Sequence, residues 1–498
     1  MMHDEGKSDD AVVPAKLSNE RAIALEEGVE GRASTKGNAE QQTTSRTQSR
    51  SHDVSHALNR VREAARQDRN AKFTALLHHV TVGRLQAAFR AIRRGAAAGV
   101  DGLTWAQYAE HEEENLRALH ARIHRGGYRA KASRRVFIPK SDGRLRPLGI
   151  AALEDKIVQG ALAEVMNAIY EVDFLGFSYG FRQGRGQHTA LDALATAITR
   201  RRVNWVLEVD IRGFFDAIDH GWLQRMLEHR IADRRVLRLI QKWLKAGVIY
   251  EGVVESGDAG SPQGATISPL LANIYLHYAF DLWARQWRSR RCRGDMVVVR
   301  YADDIVVGFE HEETARAFLH EVTERLRKFA LDVHLDKTKL LRFGRFAARD
   351  RRQRGESAPE TFDFLGFTHI CGQARGGYFV LVRHTSKTRM RATLHRVRRA
   401  LLMRRHLPIP RQAKWLRHVV QGYFAYHAIP TNSTALEVFR REVLRAWLRA
   451  LRRRGQRDRM NWAKLNRLAD RWIPRGRILH PWPTKRFDAM TQGRSPVR

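Results

Sequence analysis

Val297–Phe309 reads VVVRYADDIVVGF, and its pattern decides the fold. Two apolar runs rich in β-branched residues flank Tyr301-Ala302-Asp303-Asp304, which predicts a hairpin with adjacent carboxylates at the tight turn. Carrying two unpaired Asp side chains to the end of buried strands is costly unless something neutralises them, and a divalent cation does so directly. An Asp-Asp turn that merely solvates a loop is the plain alternative. The metal reading demands a third carboxylate from elsewhere in the chain. Trp205–Val209 has the character of a buried strand and ends in Asp210, followed by Ile211-Arg212-Gly213-Phe214-Phe215-Asp216 and then a helix. An acid at that strand end can present its carboxylate to the Asp303-Asp304 turn.

Charge narrows the class of partner. The 498 residues hold 89 Lys and Arg against 53 Asp and Glu, a formal net charge of +36. Such an excess suits a polyanion, and nucleic acid is the default. The 2 cysteines, Cys292 and Cys371, are far apart and show no CxxC spacing, so neither a disulfide framework nor a zinc site is indicated. No apolar run reaches the roughly 18 residues of a membrane span, and the N-terminus lacks a basic-then-apolar signal pattern. The expectation is a soluble protein of a reducing compartment with no membrane partner.

Residues 1–55 are rich in Ser, Thr, Gly, Gln and Glu and read as a disordered leader. Helical periodicity is expected from about Asp68 through Ile92, and again over Leu103–His124. Arg134–Ile150, RRVFIPKSDGRLRPLGI, predicts a basic hairpin turning at Ser141-Asp142-Gly143, with Lys140 and Arg146 on opposite arms. It can close over a triphosphate or stand as a solvated basic ribbon. Phe177-Ser178-Tyr179-Gly180-Phe181-Arg182 suggests a backbone passing close to a nucleic-acid strand. Gly260-Ser261-Pro262-Gln263-Gly264 is a tight loop, Ser268 is placed to cap the following helix, and Phe362–Phe367 predicts a strand-turn-strand.

Taken in order, VDG, IPK-x-DGRLRPLGI, SYGFR, VDIRGFFDAIDH, SPQG with SPLLANIYL, RYADD, LDKTK and FDFLGF resemble the blocks of a bacterial group II intron-encoded reverse transcriptase/maturase. The resemblance covers roughly residues 70–490. It implies an α+β right-hand polymerase, with fingers, an antiparallel palm sheet and a C-terminal α-helical thumb/maturase domain. It also implies two Mg²⁺ ions held by Asp210, Asp303, Asp304 and the carbonyl of Ile211. Lys140 and Arg146 match residues that hold the dNTP triphosphate, Gln263 one that lines the nucleotide pocket, and Lys337 an acid for the pyrophosphate. Phe215 matches the bulky residue that excludes a ribose 2′-hydroxyl, and it is equally suited to core packing.

The implied domains are fingers and palm over 56–383, the helical thumb/maturase over 384–455 and a basic DNA-binding-like tail over 456–498. From Thr385 to Arg498, 29 Lys and Arg stand against 5 Asp and Glu. Arg398, Arg399, Tyr423, Tyr426, Arg452, Arg453 and Arg454 are the candidate RNA contacts there. The family's partners are intron RNA, a DNA target and primer, and dNTP; a homodimer is compatible with it, in a bacterial cytoplasmic, nucleoid-associated ribonucleoprotein. Many relatives carry a zinc-bearing HNH endonuclease, whose Cys and His spacings are not found here, so an endonuclease-lacking type is expected. Two rivals stay open: a splicing factor of the same fold with a dead polymerase, and another reverse transcriptase class such as a retron-like or domesticated enzyme.

Overall fold

The computed structural model describes residues 57–139, 145–250, 253–255, 257–261, 263–455 and 460–490. Its strands are β1 (Ser133–Pro139), β2 (Leu145–Ile150), β3 (Trp205–Val209), β4 (Val248–Tyr250), β5 (Val253–Glu255), β6 (Met296–Tyr301), β7 (Asp304–Phe309), β8 (Lys339–Arg342), β9 (Phe362–Phe364), β10 (Phe367–Gln373) and β11 (Phe379–Thr385). They form three sheets, ordered β2-β1-β4-β5, β6-β7-β3-β8 and β11-β10-β9. The second sheet is antiparallel throughout, as expected for the sheet carrying the Asp303-Asp304 turn.

Every residue of β6 is buried, because the sheet is covered on both faces. Period-two alternation sends Val298, Leu207, Ile305 and Val307 into one core, against Phe318 and Val322. Their neighbours Val297, Val299, Val206 and Val306 enter a second core with Leu191 and Leu194. The helices that supply these lids are α1 (Leu153–Asp173), which packs in the first core, and α2 (Gln187–Arg200) in the second. Next come α3 (Ser268–Leu276), α4 (Leu282–Arg290) and α5 (Glu312–Arg327).

Arg300 is the exception in this apolar strand. Its side chain and that of Asp281 are both 0% exposed. The guanidinium donates to both Asp281 oxygens (2.7 and 2.6 Å), Asn273 Oδ1 (3.0 Å), Ser178 Oγ (2.6 Å) and the carbonyl of Ala302 (3.0 Å). Asp281 closes a π-helical turn, His277–Asp281, between α3 and α4. Arg325 donates to the Tyr278 and Ala279 carbonyls of that turn, each at 3.0 Å.

Some local expectations change. Residues 57–67 are helical and 68–76 are not, because Phe73 bridges Ile231 while the Leu76 and Leu77 amides donate to the Asp233 carboxylate. The expected helix over Leu103–His124 breaks at His111. Ser268 is the first residue of α3 and does not cap it; its hydroxyl accepts from Ser261 at 2.7 Å. The Phe177–Arg182 segment is not nucleic-acid-facing: Ser178, Tyr179 and Arg182 are buried. A Cβ on Gly180 would sit 2.2 Å from the Ala302 amide, so this glycine lets the segment lie against the Asp303-Asp304 hairpin. The Ser141-Asp142-Gly143 turn and residues 1–55 lie outside the described residues.

Beyond β11, helices α6 (Lys387–Met403), α7 (Ile409–His427), α8 (Ser433–Arg452) and α9 (Trp462–Trp472) share a core of their own; α9 comes from the stretch expected as a separate DNA-binding-like tail, and its Leu465 and Ala469 join that core. The following helix α10 (Pro483–Met490) packs back against α2: Arg200 pairs with both Asp488 oxygens (2.8 and 2.7 Å), and Phe487 is buried in the second core.

Removing one partner of a buried ion pair strands the other charge, at a cost of about 3–5 kcal/mol. Asp281→Ala should therefore lower the unfolding free energy by about that amount in chemical denaturation. A loss under about 1 kcal/mol, the range of an exposed pair, would show that Arg300 is held by its neutral partners alone.

Candidate active site

Strand register assembles the carboxylates. Val209 on β3 pairs with Ile305 on β7, and Tyr301 pairs with Asp304 across the hairpin. Asp210, one residue beyond Val209, therefore stands opposite Asp304, at the roughly 5 Å spacing of neighbouring strands. Ala302 takes φ +55, and Ala302-Asp303 forms the two-residue turn. The chain after Asp210 is stitched to the loop before β8. The Asp210 carbonyl accepts from the His334 amide (2.8 Å), its own amide donates to Thr338 Oγ1 (3.3 Å), and Ile211 bridges Val333.

Electrostatics mark the same spot. Burial pushes the pKa values of Asp303 and Asp304 upward, and the charge of each neighbouring carboxylate adds to it. The Asp303 side chain is half-buried and that of Asp304 is exposed. Three cations from separate elements oppose the rise or screen it. Arg146 on β2 lowers both carboxyls, Arg389 on α6 lowers Asp304, and Lys337 Nζ lies 3.2 Å from Asp210 Oδ2. Among the described residues, no three His, Cys, Asp or Glu side chains converge on one ion-sized point. The donor set still suits a hard divalent cation: three carboxylates at one end of the sheet, two of them, Asp303 and Asp304, raised in pKa. Asp210 would have to turn from Lys337 to join its partners.

The Gly260–Gly264 loop brings the nucleotide candidates together. The Ser261 amide donates to the Phe215 carbonyl (2.8 Å), and the Gly149 amide of β2 donates to the Gln263 carbonyl (2.6 Å). Gly264 has φ +108, and a Cβ there would come within 2.9 Å of the Gly149 carbonyl. Phe215, Gln263 and the strand bearing Arg146 are thus joined around the carboxylates. The Phe215 ring is half-buried against Phe214, 5.4 Å away edge-on, and packs on the first core. Lys140 lies outside the described residues.

Some neighbours escaped the sequence reading. Glu208 is raised to about 7, by burial first and then by Asp363 and Asp304, with Lys339 opposing. It lies two residues before Asp210 on the same strand and so shares its face, a signal that alternation already contained. Arg389 left no such signal, because only the packing of α6 over Gly366 carries it to the site.

The basic helices are partly as expected. Arg399, Arg452 and Arg453 are exposed and Arg454 is half-exposed. Arg398 is exposed but pairs with Glu442 at 3.3 Å, and Arg452 donates to the Met460 carbonyl at 2.9 Å. The aromatic candidates need correction. Tyr423 is buried and stacked on Phe439, with centroids 3.5 Å apart. Tyr426 donates to the Leu365 carbonyl at 2.6 Å and stacks on Phe367. Both rings face inward because α7 packs on α8 with one side and on the β9–β10 turn with the other.

Residues 138–369 match the family model described as reverse transcriptase (RNA-dependent DNA polymerase). Protein YkfC of Escherichia coli is 35% identical over 277 residues, 49% of this chain and 71% of that protein. This chain is a reverse transcriptase, of the group II intron-encoded kind. The group II intron-encoded protein LtrA of Lactococcus lactis is 33% identical over 247 residues, 47% of this chain but 41% of LtrA. A nuclear intron maturase of Arabidopsis thaliana is 30% identical over 126 residues, 25% of this chain and 17% of that protein. RNA-directed DNA polymerase is the activity of the family, whose members normally use divalent metal ions. The helices from α6 onward lie outside the matched family model. No described helix of the reverse transcriptase is long and apolar enough to cross a membrane.

Phe215 offers no metal-ligating side-chain atom, so Phe215→Val should leave deoxynucleotide extension measurable. Opening space beside the sugar should lower discrimination against ribonucleotides by about 1–3 kcal/mol, the value of small volume changes in a fitted pocket. Single-nucleotide kinetics with unchanged dNTP/rNTP selectivity would assign Phe215 to packing alone.

Proposed function

We propose that the chain copies RNA into DNA with a right-hand layout. The β2-β1-β4-β5 sheet belongs to the fingers, the β6-β7-β3-β8 sheet to the palm, and α6–α9 form a thumb that also grips group II intron RNA for splicing and mobility. The observation that carries this reading is the strand register, which sets Asp210 opposite Asp304 beneath Arg146. Asp210, Asp303, Asp304 and the Ile211 carbonyl would hold two Mg²⁺, which when bound activate the primer 3′-hydroxyl and stabilise the departing pyrophosphate in an in-line displacement.

The protein's own groups then position the reactants. Lys140 and Arg146 clamp the dNTP triphosphate through charge-assisted bonds. Phe215 bounds the sugar and Gln263 lines the pocket beside it. Lys337, freed from Asp210, offers its ammonium proton to the pyrophosphate. Exposed arginines of the helical bundle, Arg399, Arg452 and Arg453 among them, track RNA phosphates. Tyr423 packs inside the bundle on Phe439, and Tyr426 joins the bundle to the β9–β10 turn through Leu365 and Phe367. Fingers and palm over 56–383 and the thumb from 384 follow the same assignment, with α9, from the segment 456–498, packed on the thumb core; a DNA target and primer complete the substrates.

Asp303→Asn with Asp304→Asn removes metal-binding charge and little volume. It should abolish primer extension by orders of magnitude yet leave intron RNA affinity and assisted splicing near wild type. Changing Arg452, Arg453 and Arg454 to Ala should weaken RNA binding and flatten its salt dependence by up to about 0.7–0.9 per lost phosphate contact. Extension by the Asn double variant at the wild-type rate would overturn the polymerase site. Loss of both functions in a protein still folded by circular dichroism would show that they are inseparable.

A further inference from the structure

A second charged site lies away from the catalytic turn. A cleft of about 430 Å³ opens where the segment around Arg69–Lys72, the end of α1 and the π-turn His277–Asp281 meet. That is the size of a ligand site. Arg69, Lys72 and Arg285 line it, and these cations form no hydrogen bond or ion pair with the described residues. Arg230 is differently placed: it pairs with Asp173 at 2.9 Å and donates to the Asp68 and Ala71 carbonyls at 3.0 Å, anchoring the segment. With Asp173 so occupied, the cleft carries a net positive charge that nothing described neutralises.

Its polar furniture is built for more than charge. His229 is exposed and stacks on Tyr278, centroids 5.0 Å apart and planes 20° from parallel. His277 is 3% exposed, lines the cleft, and has an Nδ1 with no partner among the described residues. π-turns of this sort recur at functional sites. No glycine lines the cleft to supply the close amide cradle of a free terminal phosphate. Long, exposed cations beside an aromatic shelf instead match a backbone that passes through.

We propose that this cleft seats single-stranded RNA, with phosphates on Arg69, Lys72 and Arg285 and one unstacked base on the outer face of His229, backed by Tyr278. The seat rests on the RNA-binding function proposed above and adds a contact remote from the helical bundle.

The test uses the full chain and a short unstructured oligouridine carrying 4-thiouridine, in wild type, in Arg69→Ala/Lys72→Ala/Arg285→Ala, and in the Arg452/Arg453/Arg454 alanine variant. The cleft variant should bind about tenfold more weakly or worse, and its log–log salt slope should fall by about 2, near 0.7 for each of three contacts. Light should crosslink the oligonucleotide to the peptide holding His229 or Tyr278 in wild type and not in the cleft variant. His229→Ala alone should lose the crosslink and keep the slope, which separates stacking from charge and guards against misfolding of the triple variant. Wild-type affinity and slope in the cleft variant, or no crosslink in wild type, overturns the seat. If only the bundle variant loses affinity, the seat falls and RNA binding stands; if neither does, both fall.

Discussion

A guanidinium with no access to water fixes the Asp303-Asp304 hairpin. Arg300 gives hydrogen bonds to Asp281, Asn273, Ser178 and the Ala302 carbonyl, and thereby ties the π-turn, α3 and the segment before α2 to one point under the Asp303-Asp304 turn. Buried ion pairs are weak contributors to net stability, yet breaking one is severe, because the survivor is left uncompensated. Such an interaction specifies geometry more than it adds energy. Here the geometry is the height and tilt of a turn whose next two residues are carboxylates. Asn273 reinforces it by donating to the Gly180 carbonyl at 2.7 Å, on the segment that lies against Ala302.

From that fixed turn outward, order gives way to charge. The carboxylates repel one another and burial disfavours their ionised forms, so they need cations. Arg146, Lys337 and Arg389 come from β2, the loop before β8 and α6, three elements remote from one another in sequence. Long side chains of this kind can yield to metal ions and a triphosphate without disturbing the cores beneath. The site is thus rigid where hydrogen bonds hold backbone and adjustable where charges meet solvent.

The helical C-terminal part is joined to the sheet domain by polar contacts at several points. The Ser386 hydroxyl, just before α6, donates to the Asp363 carboxylate at 2.9 Å, the Asn432 side chain donates to Thr385 Oγ1 at 2.7 Å, and Tyr426 on α7 donates to the Leu365 carbonyl at 2.6 Å. Arg486 reaches Asp192 from the far end of the chain at 3.3 Å. Most of these groups are buried, which links the basic helices to the catalytic sheet through defined geometry rather than through a loose tether.

The sequence by itself determined the hairpin at Asp303-Asp304, the strand that ends in Asp210 and the amphipathic C-terminal helices. Each rests on local periodicity, and a buried face imposes period two or period 3.6 on the residues that make it. Ordered motifs carried the family as well. What only the tertiary structure decided are contacts between segments remote in sequence. Gly180 was read as an approach to nucleic acid and proved to be an approach to Ala302, because its missing Cβ says that something is close and not what. Tyr423 and Tyr426 could line a surface or a core on helical spacing alone, and packing on Phe439 and Phe367 put them inside. Glu208 was latent in the alternation, whereas Arg389 reaches Asp304 only because α6 crosses Gly366. Local pattern encodes which face of an element is buried; the partner across that face is a property of the assembled chain.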